Sequence, residues 1–221
     1  MVVHRWRAGT VVGGVLAAGL VVLGGCEAPQ RQPASYPANT LPVHYEEATA
    51  PTSCLVASVT MAANYLVGKR QFTEPDIRTA MQDGGLDETS ISDVRSYLEG
   101  RGLYLLTLAG RTDDKPPLGL LFWLERRGYP VICVINRQGD DPGFNHAVVV
   151  TGFSRNVDSP SADIVYYLDP AAREPLQSLS LSEFEAAWER GERAMMLVVA
   201  PPSEVTPGAA ASAPAGATGG R

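Results

Sequence analysis

Three side chains lying far apart in this sequence could together do chemistry. Cys54 opens an amphipathic run over residues 53–66, directly after a loop ending Ala50-Pro51-Thr52. His146 heads the apolar run His146-Ala147-Val148-Val149-Val150, and Asp169 closes another, Val165-Tyr166-Tyr167-Leu168-Asp169-Pro170. Only the thiolate of a cysteine is a good nucleophile, and an unperturbed thiol keeps its proton to about pH 8.5. A helix N-terminus aims unpaired N–H groups and the positive dipole end at the sulfur, which favours the anion. An imidazole on a neighbouring strand can take the proton and later hand it to a leaving group. A carboxylate one strand further on would hold the second ring nitrogen. The backbone N–H of Cys54 would supply half of an oxyanion hole.

Read singly, each residue has a plainer use. A cysteine on an apolar helix is commonly a core residue. A histidine at a strand start is commonly a satisfied structural imidazole, and Asp169 before Pro170 reads as a turn residue. Their order and the elements that would carry them point jointly to a hydrolase-type site. His44 is an alternative imidazole that no strand signal places.

The elements that must position these groups can be read from hydrophobic spacing. A first helix is expected over 54–67, stopped by Gly68, and a second over 74–81 with Thr73 as N-cap and Pro75 in its first turn. Thr89 or Ser90 caps a third, carrying Val94, Tyr97 and Leu98. A strand is expected over 103–108, then a fourth helix over 118–127 behind Pro116-Pro117, with Leu120, Leu121 and Leu124 on its apolar face. Residues 131–136, 146–153 and 164–169 are rich in Val, Ile and Tyr and read as neighbouring strands. Ser180 or Ser182 caps a last helix anchored by Phe184 and Trp188, and 195–200 closes the sheet. Helices first and an antiparallel sheet afterwards make an α+β layout.

Both ends fall outside that domain. His4, Arg5 and Arg7 precede an apolar stretch over 8–25 that ends in Cys26, the pattern of a secretion signal. Leu23-Gly24-Gly25-Cys26 resembles a bacterial lipobox, which makes residues 1–25 a lipoprotein signal peptide and Cys26 the lipidated mature N-terminus. The rival is an uncleaved anchor, since the stretch is about the minimum for a span; its glycines and its terminal cysteine favour the lipobox. Glu27 carries no signal for retention at the inner membrane, so the expected location is the cell envelope, lipid-anchored on the periplasmic side, with the outer membrane open. Residues 26–40 read as a flexible tether, and 201–221, rich in Pro, Ala and Gly, as a disordered tail. Residues 41–200 form one domain large enough for a core without disulfides. Net charge is −6, and no basic cluster offers a nucleic-acid surface. Cys133, inside Val131-Ile132-Cys133-Val134-Ile135, is expected free and buried rather than paired with Cys54. No metal, phosphate or dinucleotide motif is present, so no cofactor is expected.

Four segments are similar to one known group. They are Pro51-Thr52-Ser53-Cys54-Leu55-Val56-Ala57-Ser58, Asn145-His146-Ala147-Val148-Val149-Val150-Thr151-Gly152-Phe153, Tyr167-Leu168-Asp169-Pro170 and Ser182-Glu183-Phe184-Glu185-Ala186-Ala187-Trp188. Together they resemble the C39-like branch of papain-type cysteine peptidases over nearly all of 43–200. The resemblance implies a papain-like fold, with N-terminal helices packed on a C-terminal antiparallel sheet. It also implies Cys54 as nucleophile, His146 as general base and acid, and Asp169 as orienting group. Members of the group cut leader peptides after a double glycine, often as the N-terminal part of an export transporter. Here no transporter segment accompanies the domain, so the implied protein is a stand-alone, membrane-tethered peptidase with a peptide or protein substrate. Leu55 replaces the usual glycine after the cysteine. The glutamine amide that completes the family's oxyanion hole has no counterpart in Tyr45-Glu46-Glu47-Ala48-Thr49-Ala50. Hydroxyls of Thr49, Thr52 or Ser53 are the candidate substitutes, and losing one such donor costs about a hundred- to a thousandfold in rate.

Two function classes follow: a thiol peptidase, or a catalytically silent lipoprotein domain that binds a peptide or partner protein in the same groove. A cell-wall endopeptidase is a weaker third, because those enzymes commonly place a second histidine where Asp169 stands. The loop 137–145 would shape the groove in the first two.

Overall fold

α1 (Cys54–Val67) is enclosed on every side: each residue from Leu55 to Asn64 is buried, the polar Ser58, Thr60 and Asn64 included. Gly68 ends it in the left-handed conformation at φ 69°, which a side chain would resist. In the computed structural model, which describes residues 32–137, 145–156 and 162–201, α1 is followed by α2 (Glu74–Asp83) and α3 (Ile91–Glu99). Thr73 and Ser90 cap the latter two by accepting the N–H groups of Asp76 and Asp93. Buried Asn64 shapes the α1–α2 loop. Its amide donates to Phe72 O at 2.8 Å, and its oxygen accepts Gln71 N–H at 2.8 Å and Phe72 N–H at 2.9 Å.

The strands are β1 (Tyr104–Ala109), β2 (Val131–Ile135), β3 (His146–Ser154), β4 (Ile164–Leu168), β5 (Leu176–Ser180) and β6 (Ala194–Val199), with α4 (Leu181–Arg190) between the last two. They form one antiparallel sheet in the order β1-β6-β2-β3-β4-β5. α1 packs on β3, β6 and β2, and α4 on β2, β5 and β4. Every residue of β3 from His146 to Phe153 is buried, so both faces of the sheet are covered there. α4 begins with a full capping box between Ser180 and Glu183, settling the choice between Ser180 and Ser182. Phe184 and Trp188 are fully buried, as their helical spacing requires. The α+β architecture is the expected one.

Three details differ from the sequence reading. The fourth helix does not begin at Leu118. Arg111 N–H donates to Leu118 O and its carbonyl accepts Leu120 N–H, so these backbone groups are spent on a bridge. Helical structure starts at Leu120 and continues as a short π-helical turn, Phe122–Arg126. β5 has no sequence counterpart; it is an edge strand that pairing with β4 creates. Residues 32–40, expected within the flexible tether, are held against the domain. Gln32 pairs both polar atoms of its amide with the Tyr45 backbone, at 2.9 and 3.0 Å, and the Tyr36 hydroxyl donates to Val43 O. Beyond Val150, opposite the first residue of β2, the edge of β3 is taken by Thr40, which bridges Gly152. A Cβ on Gly152 would stand 2.3 Å from Thr40 Cγ2, which explains the glycine. The signal segment, Cys26 and tail residues 202–221 lie outside the described residues.

Candidate active site

Cys54 occupies the first helical position of α1, where its N–H has no intrahelical acceptor. Ser53 sits at the N-cap position without a side-chain cap bond, and the first turn carries no acidic residue to offset the dipole. One turn on, the buried hydroxyl of Ser58 donates to Ala147 O at 3.1 Å. That bond ties α1 to β3 beside His146. The half-buried sulfur interacts with His146 and receives the backbone N–H groups of Ala147 and Leu55. Burial opposes its ionisation, but the His146 hydrogen bond and charge and the two N–H groups outweigh burial and lower the thiol pKa.

His146 begins β3 at 2% exposure, and Asp169 follows β4 at 1%. Since β3 and β4 are paired, the two side chains meet: Nε2 of His146 lies 2.6 Å from Oδ1 of Asp169. Nδ1 is then the ring atom left for the sulfur. Burial disfavours the imidazolium, yet the Asp169 and Cys54 hydrogen bonds and charges prevail and raise its pKa from 6.5 to about 9. For Asp169, burial is again outweighed, here by His146, the Ala171 N–H and Arg137, and the carboxyl is held below its ordinary range. The turn bearing Asp169 is itself fixed. Asp169 N–H donates to Pro175 O, and the buried Tyr45 hydroxyl lies 3.3 Å from Asp169 O and 3.1 Å from Pro170 O. With thiol depressed and imidazole elevated, the arrangement favours a thiolate–imidazolium pair beside an ionised carboxylate.

The candidate oxyanion hydroxyls are a correction. Thr49 donates to Glu74 Oε2 at 2.6 Å, Thr52 to Glu88 Oε1 at 2.5 Å and Ser53 to Ala50 O at 3.1 Å. The two threonine protons are committed elsewhere because α2 and the following loop offer carboxylates, which attract them more than a neutral site does, and Ser53 turns back on the carbonyl of its own turn. Of the expected donors, the Cys54 N–H alone stays available. His44 is not brought to the site; its ring contacts Gln32 and the Tyr45 carbonyl. Cys133 is fully buried, Cys54 half-buried, and both are free thiols. Among the described residues no group of His, Cys, Asp and Glu could hold a metal. Sequence reasoning missed Ser58, Tyr45 and Arg137. Ser58 is four residues past Cys54, so helical spacing alone could have put it on the same face; the other two carry no local signal.

Known proteins resemble this chain in fold. Residues 122–196 match the model of the Peptidase_C39 like family. The peptidase domain of Streptococcus ComA, a bi-functional ABC transporter involved in quorum sensing, is 13% identical; the match covers 71% of this chain and 98% of that one, with a TM-score of 0.50. A double glycine motif protease from an AMS/PCAT transporter, in complex with its leader peptide, is 19% identical over 78% of this chain and 100% of the other, TM-score 0.50. A C39-like peptidase from Bacillus anthracis is 15% identical over 74% and 98%, TM-score 0.51. No curated protein sequence matches. The chain has the papain-like fold of C39 peptidase domains.

Proposed function

We propose that this protein is a cysteine peptidase held on the periplasmic side of a membrane by lipid on Cys26, cutting peptides or proteins of the double-glycine leader type. The observation that carries the reading is the continuous contact Cys54–His146–Asp169, with His146 Nε2 2.6 Å from Asp169 Oδ1. In this reading the Cys54 thiolate attacks the scissile carbonyl carbon, and the carbonyl oxygen takes the charge against the Cys54 N–H. The imidazolium of His146 gives its proton to the leaving amine as the C–N bond breaks, which leaves a thioester on Cys54. Water, deprotonated by His146, attacks that thioester and releases the acid and the thiol. Asp169 stays ionised and holds the ring. The leader-bound relative supports a peptide substrate.

A second reading, a silent domain that binds a peptide in the groove, is favoured by the commitment of the Thr49, Thr52 and Ser53 hydroxyls to other partners. Hydrolysis of synthetic leader peptides containing Gly-Gly separates the two. The peptidase reading expects cleavage after the second glycine, abolished by Cys54→Ala and reduced at least about a hundredfold by His146→Ala. Binding of the same peptides without cleavage would establish the silent domain.

A further inference from the structure

The two oxygens of the Asp169 carboxylate meet different surroundings. Oδ1 lies 2.6 Å from His146 Nε2 and accepts the Ala171 N–H at 2.9 Å. Oδ2 is buried without a hydrogen-bond partner and faces Nη2 of Arg137 at 3.5 Å. Arg137 comes two residues after β2, the strand whose last residue, Ile135, pairs with His146. Its guanidinium also contacts the Tyr167 phenol.

We propose that Arg137 is a positioning residue that moderates the charge Asp169 presents to His146, and so sets the pH at which the imidazolium releases its proton. The inference rests on the Cys54–His146–Asp169 reading above. A general acid must give up its proton as well as hold it. A buried carboxylate facing an imidazole alone binds that proton tightly, and a cation on the far oxygen offsets part of the pull. Two hydrogen bonds already fix Oδ1, so the arginine acts on the charge of the carboxylate rather than on its orientation. The other groups around the pair do not replace it. Cys54 of α1 lies on the opposite ring nitrogen. Tyr45 approaches the Asp169 carbonyl rather than the carboxylate, and Tyr167 of β4 meets Arg137 itself. Glu183 and Arg190 of α4 share with Arg137 the lining of a cavity of about 330 Å³. The Glu183 carboxylate is held by Ser180, and Nε of Arg190 by Asn136 O. Asp140 and Asp141 lie outside the described residues.

The test is the titration of the His146 ring, followed by NMR in the whole protein and in Arg137→Gln and Arg137→Lys. The Arg137 side chain is 43% exposed, so both variants should fold. Arg137→Gln should raise the His146 midpoint by roughly half to one pH unit, and Arg137→Lys should return it to the parent value. An unchanged or lowered midpoint in Arg137→Gln overturns the proposal, as does a lysine variant that behaves like the glutamine one. A parent protein whose His146 titrates in the ordinary imidazole range would overturn the underlying site reading, which is a separate failure.

Discussion

Replacing Asp169 by Asn removes one charge from a buried pair at almost constant volume. At 1% and 2% exposure, Asp169 and His146 leave no room for water to take over from the carboxylate. A hydrogen bond to a charged partner contributes about 1.5–3 kcal/mol, and one pH unit of pKa corresponds to about 1.4 kcal/mol. The His146 midpoint, now about 9, should therefore fall by roughly one to two units. Burial then weighs more heavily on the remaining charges, and the Cys54 thiolate loses its counter-ion. Iodoacetamide labelling of the native protein reads this directly. The parent should label Cys54 well below pH 8, whereas Asp169→Asn should label about two- to tenfold more slowly near pH 8, where its imidazole has lost the proton that the parent keeps, and approach the parent near pH 6. Identical labelling rates across that range would refute the coupling of thiol to carboxylate through the ring.

Ser58→Ala removes the bond between α1 and Ala147 O; it should cost about 1–2 kcal/mol in denaturant unfolding and slow Cys54 labelling, and an effect on neither would detach Ser58 from the site. Gly152→Ala drives a methyl into Thr40, which should cost about 1–3 kcal/mol and make residues 32–45 the first target of limited proteolysis. The raised His146 pKa contributes stability that is complete below about 6.5 and lost as pH rises through about 9. The lowered Cys54 pKa contributes in the opposite sense, present above the unfolded value of 9.0 and lost as pH falls through the folded one. An ion pair in the folded state makes the two slopes cancel in the overlap. Cys54→Ala should expose the histidine slope, seen as a melting temperature that falls as pH rises above about 6.5 and levels off below pH 9 because the Cys54 share of the raised pKa is gone, and a flat profile in that variant would contradict the pull of Asp169 on the imidazole.

Local signals made the scaffold legible where a single segment carries its own pattern. α1 announced itself by an apolar run broken at Gly68, and β2, β3 and β4 by Val- and Ile-rich runs bounded by turn residues. β3 and β4 are consecutive and paired, so the meeting of His146 with Asp169 follows from strand order, whereas α1 brings Cys54 to them only by packing on β3. What escaped depends on distant partners. β5 (Leu-Gln-Ser-Leu-Ser) has no alternation and exists because β4 offers an edge. The segment 32–40 reads as tether by composition, yet it docks because β3 outruns β2 by several residues. The hydroxyls of Thr49 and Thr52 were misjudged because Glu74 and Glu88, 25 and 36 residues on, are their acceptors. Arg137 sits at a strand end whose neighbour is known only once the sheet is assembled.

Covalent capture addresses the nucleophile itself. Exposed near pH 6.5 to a chloromethyl ketone built on a peptide ending in Gly-Gly, the whole protein should gain one adduct, mapped to Cys54, that forms far more slowly in His146→Ala. Cys133, sealed in the core with its thiol pKa pushed up by burial, should stay unmodified. An unlabelled Cys54, or labelling indifferent to the loss of the imidazole, would contradict the account.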